Sequence, residues 1–153
     1  MSTILLAFEP DWFDKLSTGE KKFEYRKHFP KGNTTVFFYV SNPVKAITGI
    51  AEFAERESLN DWKEKYAERP VDVMERINDF ATDCRWAMPM VKFQPTNKIT
   101  LEQIREAFPD FIVPRMYYYI DNSDLLKYLE SNLIPQGQPL NHSFDLINDD
   151  DIC

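Results

Sequence analysis

Between Gly19 and Arg26 the chain reads Gly-Glu-Lys-Lys-Phe-Glu-Tyr-Arg, which sets one carboxylate, Glu24, among the bases Lys21, Lys22 and Arg26. Alternate side chains of an extended strand share a face. Lys22, Glu24 and Arg26 are therefore expected on one face, and Phe23 and Tyr25 on the other. Lys21 sits at a helix-to-strand junction, where this alternation does not fix its direction. A lysine can hold a phosphate, or act as a base where a dry pocket lowers its pKa. Glu24 can transfer a proton or accept from the exocyclic amine of a nucleobase. Arg26 offers a planar fork to a phosphate or a base edge. Plainer roles stand beside these: a surface lysine, and an ion pair of Glu24 with Arg26 or Lys22 worth about 0–1 kcal/mol when exposed. Lys21 and Glu24 are the catalytic candidates, and Lys22 and Arg26 candidate ligand contacts. Tyr39 and Ser41, two residues apart, could stack on a base and hydrogen-bond it. Arg115 and Tyr117 are weaker candidates of the same kind.

The elements that must position these residues can be read in order. Ser2–Phe8 predicts an apolar strand, and Pro10 opens a helix that Thr18-Gly19 closes, with Trp12, Phe13 and Leu16 on its buried side. The motif strand runs to about Phe29. Thr34–Val40 and Ala46–Ala54 predict two further strands, with Gly49 a bulge or close-approach point. Leu59, Trp62 and Tyr66 begin a helical stretch, and Val71, Met74, Ile77 and Phe80 form a stripe on the next helix. Trp86–Phe93 predicts a strand broken by Pro89. Thr100 with Gln103 forms a capping box for a helix. A strand over Met116–Ile120 and a last helix capped by Asp121 or Asn122 follow. All three tryptophans are expected in the core. Residues 135–153 predict a mobile acidic tail after a domain over residues 1–134.

Composition narrows the classes. At 153 residues and 43% hydrophobic, the chain suits one domain with a sizeable core. Four glycines leave no glycine-rich phosphate loop. Two histidines, His28 and His142, and two cysteines, Cys84 and Cys153, give no zinc-type box, so neither metal nor cofactor is expected. No apolar run is long enough for a membrane span and no leader pattern is visible, so a reduced cytoplasmic protein is expected. Net charge is −7, which argues against a duplex-coating protein. The stretch from Lys21 to Gly32 nevertheless holds five bases and one acid, a basic mouth on an acidic body.

The octapeptide fits the pattern G-x-K-x-x-E-x-R. Leu5, Pro10, Phe13 and Leu16 precede it, and Val36–Pro43, Phe93-Gln94-Pro95, Leu101 and Pro114-Arg115-Met116-Tyr117 follow. Together they resemble an ASCH domain, the activating signal cointegrator homology domain of the PUA-like group, over about Ile4 to Leu129. The resemblance implies an α+β fold: a PUA-like, mostly antiparallel β-barrel of five or six strands with peripheral helices. It implies RNA or a nucleotide- or nucleoside-like small molecule as partner. One branch is similar to an amidohydrolase of acylated nucleosides, with a lysine at the position of Lys21, a threonine at that of Glu24 and a distant glutamate. Here Glu24 replaces the threonine, and Glu64 and Glu68 lie in the stretch of the distant acid. The readings left open are a binding module, a small hydrolase of a modified nucleoside or single-stranded RNA, and a non-catalytic protein-interaction domain.

Overall fold

A computed structural model describes residues Met1–Cys153. The order of elements is β1 (Ser2–Phe8), α1 (Pro10–Thr18), β2 (Phe23–Arg26), β3 (Thr34–Val40), β4 (Ala46–Phe53), β5 (Glu57–Ser58), α2 (Leu59–Lys65), α3 (Val71–Asp83), β6 (Trp86–Gln94), β7 (Ile99–Thr100), α4 (Leu101–Ala107), β8 (Tyr117–Tyr119), α5 (Asp124–Asn132) and β9 (Leu140–Asn141). Six strands form a continuous path, β2-β6-β4-β3-β1-β8, with β5 and β9 paired to β6 and β7 to β4. Only β1–β3 is parallel. The result is a mixed, mostly antiparallel half-barrel with peripheral helices. Its two end strands, β2 and β8, do not pair with each other. No helix is long and apolar enough to cross a membrane.

Strand alternation divides the apolar side chains between two faces. Ile4, Leu6, Phe8, Val36, Phe38 and Val40 fill the inside with Leu16 and Phe93. Leu5, Phe37 and Tyr39 point outward under Ile104, Phe111 and Leu129, which are brought by α4, α5 and their connections. A third cluster, built on Phe23, Tyr25 and Trp62, joins β2 to α2 and α3. β6 links the sheet's two parts: its first half pairs with β2 and its second with β4. Pro89 stands at this handover, where the β4–β6 register shifts, so its missing N–H falls at an irregular point of the ladder.

Gly49 is the close-approach point. Its φ is +82°, and a Cβ there would lie 3.1 Å from both Phe13 Cζ and Phe93 Cε1. The absent side chain leaves room for Phe13 of α1 against the sheet. Gly19 then takes φ +86° and donates its N–H to the Leu16 carbonyl, the left-handed cap that glycine favours. The Lys21 N–H donates to the Lys15 carbonyl at 3.0 Å, which ties the start of the motif to α1.

Several expectations need correction. The cap of α5 is Ser123, not Asp121 or Asn122. Val73 and Ile77 carry the buried side of α3, while Val71 is exposed. Trp62 is a core residue, but Trp12 is 45% exposed, and Trp86 is half-buried under the Arg56 guanidinium, 3.7 Å away. Residues of the C-terminal segment expected as a mobile tail are docked on the body. β9 pairs with β6, Phe144 packs on Phe23 with ring centroids 4.9 Å apart, and Ile152 is fully buried. Its acids are held by bases of the body: Asp149 by Arg69 at 2.8 Å and Asp151 by Lys22 at 2.9 Å. Apolar anchors interleaved with the acids supply the burial that a purely polar tail lacks.

Candidate functional site

The gap between β2 and the β1–β8 edge opens into a cleft of about 580 Å³. Lys21, Glu24, Tyr25 and Arg26 line one wall. Ala7 and Phe8, at the end of β1, line the other with Val113, Pro114 and Arg115. Trp12 of α1, Phe80 and Cys84 around the end of α3, and Cys153 close the rim. Tyr39 and Ser41 come from the end of β3. The motif therefore sits on the sheet's open seam.

Arg26 bridges that seam. Its Nη2 donates to the Ala7 carbonyl at 3.0 Å and its Nε to Glu24 Oε2 at 2.9 Å. Glu24 Oε1 accepts the Tyr25 N–H at 3.1 Å and lies 3.8 Å from Lys21 Nζ. Each carboxylate oxygen thus accepts one hydrogen bond, and Oε1 also faces the Lys21 ammonium. Arg26 braces the mouth and also lines it.

Lys21 is only 4% exposed. Its ammonium donates to the Cys153 carbonyl at 3.2 Å. It also lies 4.7 Å from the Tyr25 ring centroid and 5.2 Å from that of Trp12, within range of a cation–π attraction. Burial holds its pKa below the ordinary lysine value, outweighing the opposing pull of Glu24. Tyr25 stacks on Phe80 at 3.9 Å, and its hydroxyl is buried without a hydrogen-bond partner in the protein. Burial raises the pKa of that hydroxyl, so it stays protonated and keeps a proton to donate.

Six of the eight residues singled out in the sequence line this one cleft: Lys21, Glu24, Arg26, Tyr39, Ser41 and Arg115. Tyr39 does so while almost fully buried beside Phe111, so packing is its main role. Lys22 and Tyr117 lie elsewhere. Lys22 precedes β2, with its carbonyl bonded to the Met90 N–H and its ammonium to Asp151. Tyr117 lines a separate cavity with Arg56 and Arg85. Trp12, Phe80 and Cys153 were missed. The first two lie on helix flanks beside the cleft, and helical spacing records amphipathicity rather than which flank borders a cavity. Glu64 and Glu68 are exposed and line no part of the cleft. No group of three His, Cys, Asp or Glu side chains is arranged to hold a metal.

No protein-family model and no curated protein matches the sequence. Solved structures do match the fold. The ASCH protein of Zymomonas mobilis superposes with a TM-score of 0.67 at 19% identity, covering 87% of this chain and 96% of that one. A mutant form of that protein gives 0.67 at 19% identity over 88% and 100% of the two chains. A second mutant gives 0.63 at 19% over 85% and 96%. The chain has the fold of these ASCH structures.

Proposed function

We propose that this ASCH-type fold binds a nucleotide- or nucleoside-like group, free or carried by single-stranded RNA, in the cleft at its open seam. The observation that carries this reading is the enclosed Lys21 ammonium, set among aromatic rings and a carboxylate at the mouth of one cavity. Its volume of about 580 Å³ suits a small guest with one heterocycle. Trp12 and Phe80 line the cleft with aromatic rings, and every base has a face to stack. Glu24, which lines the cleft, suits an amine or hydroxyl donor. Lys21 and the exposed Arg115 suit a phosphate.

A hydrolase is the second reading, and the lowered pKa of Lys21 favours it. A buried lysine that loses its proton more readily is suited to proton transfer or attack. Glu24, one side chain away, would orient it.

Both readings are tested by titrating pure protein with acylated nucleosides and short single-stranded RNA while following product by mass spectrometry. Lys21→Ala, Lys21→Met and Glu24→Ala are run in parallel, Lys21→Met because it keeps the buried stem. Binding is expected to weaken at least about tenfold in the Lys21 variants, as loss of one charge-assisted contact implies. Turnover abolished by both the Lys21 and Glu24 changes would establish the hydrolase. Turnover that survives them moves the chemistry elsewhere, and no binding to wild type sinks the cleft reading.

A further inference from the structure

One base of the charged motif has no place in the cleft. Lys22 does not line it, and its ammonium instead meets Asp151 Oδ1 at 2.9 Å. Its neighbour Lys21, which does line the cleft, donates to the Cys153 carbonyl at 3.2 Å. Two consecutive lysines thus grip residues 151 and 153 of one segment. Between these grips Ile152 is fully buried in the cluster built on Phe23, Tyr25 and Trp62. Further back the same segment is held by two arginines. Arg69 donates to the Ile147 carbonyl at 2.6 Å and to Asp149 at 2.8 Å, and Arg76 to the Asp149 carbonyl at 3.3 Å.

These ties differ in kind from those that hold the sheet. β1 is hydrogen-bonded along both edges, to β3 and to β8. Beyond the His142 N–H, which donates to the Val91 carbonyl, no backbone hydrogen bond joins residues 142–153 to the rest of the fold. Four cationic side chains and the apolar plugs Phe144 and Ile152 do that work. Local opening costs least where the backbone lies outside a ladder, and most in central strands. The segment can therefore lift while the sheet stays intact.

Where it rests also matters. Cys153 lines the cleft, and its carbonyl takes the Lys21 donor that a guest would need. We propose that residues 142–153 are an autoinhibitory strap. Docked, the strap covers the Lys21 ammonium; lifting its Asp151–Cys153 tip uncovers it. Lys22 is the latch, which gives the second lysine of the motif a role outside the cleft. This concerns regulation of the cleft and rests, for its purpose, on the reading of that cleft as a binding site. Affinity for a guest is then reduced by the fraction of molecules whose strap is lifted, and any change that lifts it tightens binding.

The test uses two strap variants, Asp151→Asn, which breaks the latch, and Ile152→Ala, which trims the plug. Neither residue lines the cleft. Asp151→Asn keeps the apolar packing, so one strap variant remains should Ile152→Ala melt early. The first readout needs no guest: proton exchange of the Lys21 ammonium with water, followed by lysine-labelled NMR at pH 6 and assigned by its absence from Lys21→Met. The second is calorimetric titration with uridine monophosphate. Exchange at Lys21 should be slow in wild type and rise about threefold or more in the strap variants, with amide exchange in β1 and β3 unmoved. Uridine monophosphate should bind the strap variants about three- to tenfold tighter than wild type. Lys21 exchange unmoved in both variants overturns the strap, and leaves the cleft reading standing if wild type binds the monophosphate. Weaker binding by the strap variants also overturns it, since the segment then supports the guest's site instead of shutting it. Faster Lys21 exchange with no monophosphate bound by any of the proteins upholds the strap as a cover of Lys21 and overturns the cleft reading.

Discussion

Lys21 is an ammonium enclosed by two rings, a carboxylate and a carbonyl. Because burial lowers its pKa, the folded protein releases this proton at a lower pH than the unfolded chain does. The sign follows: this site's contribution to stability rises with pH between the lowered value and the ordinary 10.5. Isotope-labelled lysine NMR should show one resonance titrating below the others and absent from Lys21→Met. The same titration separates the two functional readings. If Lys21 acts as a cation toward phosphate, affinity falls as pH rises through its pKa; if it acts as a base, the rate rises. At this scale the motif was legible, because Lys21, Glu24 and Arg26 carry their chemistry in their residue types. The reach of Lys21 toward Glu24 was not, since Gly19 and the cap of α1, rather than strand alternation, set its direction.

α1 and the C-terminal segment decide where the cleft walls stand. Gly49→Ala combines a positive φ with contacts to Phe13 and Phe93, and should cost about 1–3 kcal/mol in urea unfolding. A loss near zero would show that α1 does not bear on that point. Asp151→Asn should loosen the C-terminal segment by about 1–2 kcal/mol, read as faster hydrogen exchange over residues 140–153 with β1 and β3 unchanged. Burial raises the pKa of Asp151, but the Asn148 N–H and Lys22 outweigh it and the net shift is downward. A depressed carboxylate stabilises above its ordinary value of 3.8 and loses that contribution as pH falls through the lowered one. Acid should therefore loosen this segment in wild type and not in Asp151→Asn. The strands, the α1 cap and the Thr100–Gln103 box were legible because each is a local rule. The docking of residues 140–152 was not, because it depends on Phe23 and β6, which lie far away in sequence.

The sheet as a whole is a barrel left open at one seam, and the charged motif lies along that opening. Arg26 ties the two sides together through Glu24 and Ala7. Arg26→Ala should cost about 1–3 kcal/mol, since it removes two hydrogen bonds and leaves Glu24 buried with a weaker partner. Arg26→Lys should recover little, because an ammonium cannot span both acceptors in one plane. Equilibrium unfolding of the pair measures this, and equal stability of both with wild type would remove Arg26 as a brace. The mixed, mostly antiparallel topology could be read from short apolar strands and tight turns. The seam could not, since it depends on which end strands fail to meet. One practical matter follows from Lys21 resting against Cys153. Any affinity tag joined after Cys153 is delivered into the cleft mouth, where it would compete with a guest. Met1 is 87% exposed and lines no part of the cleft, so a tag placed before it leaves the mouth open. If the cleft takes a guest as proposed, assays with tags at opposite ends of the chain are expected to give different affinities.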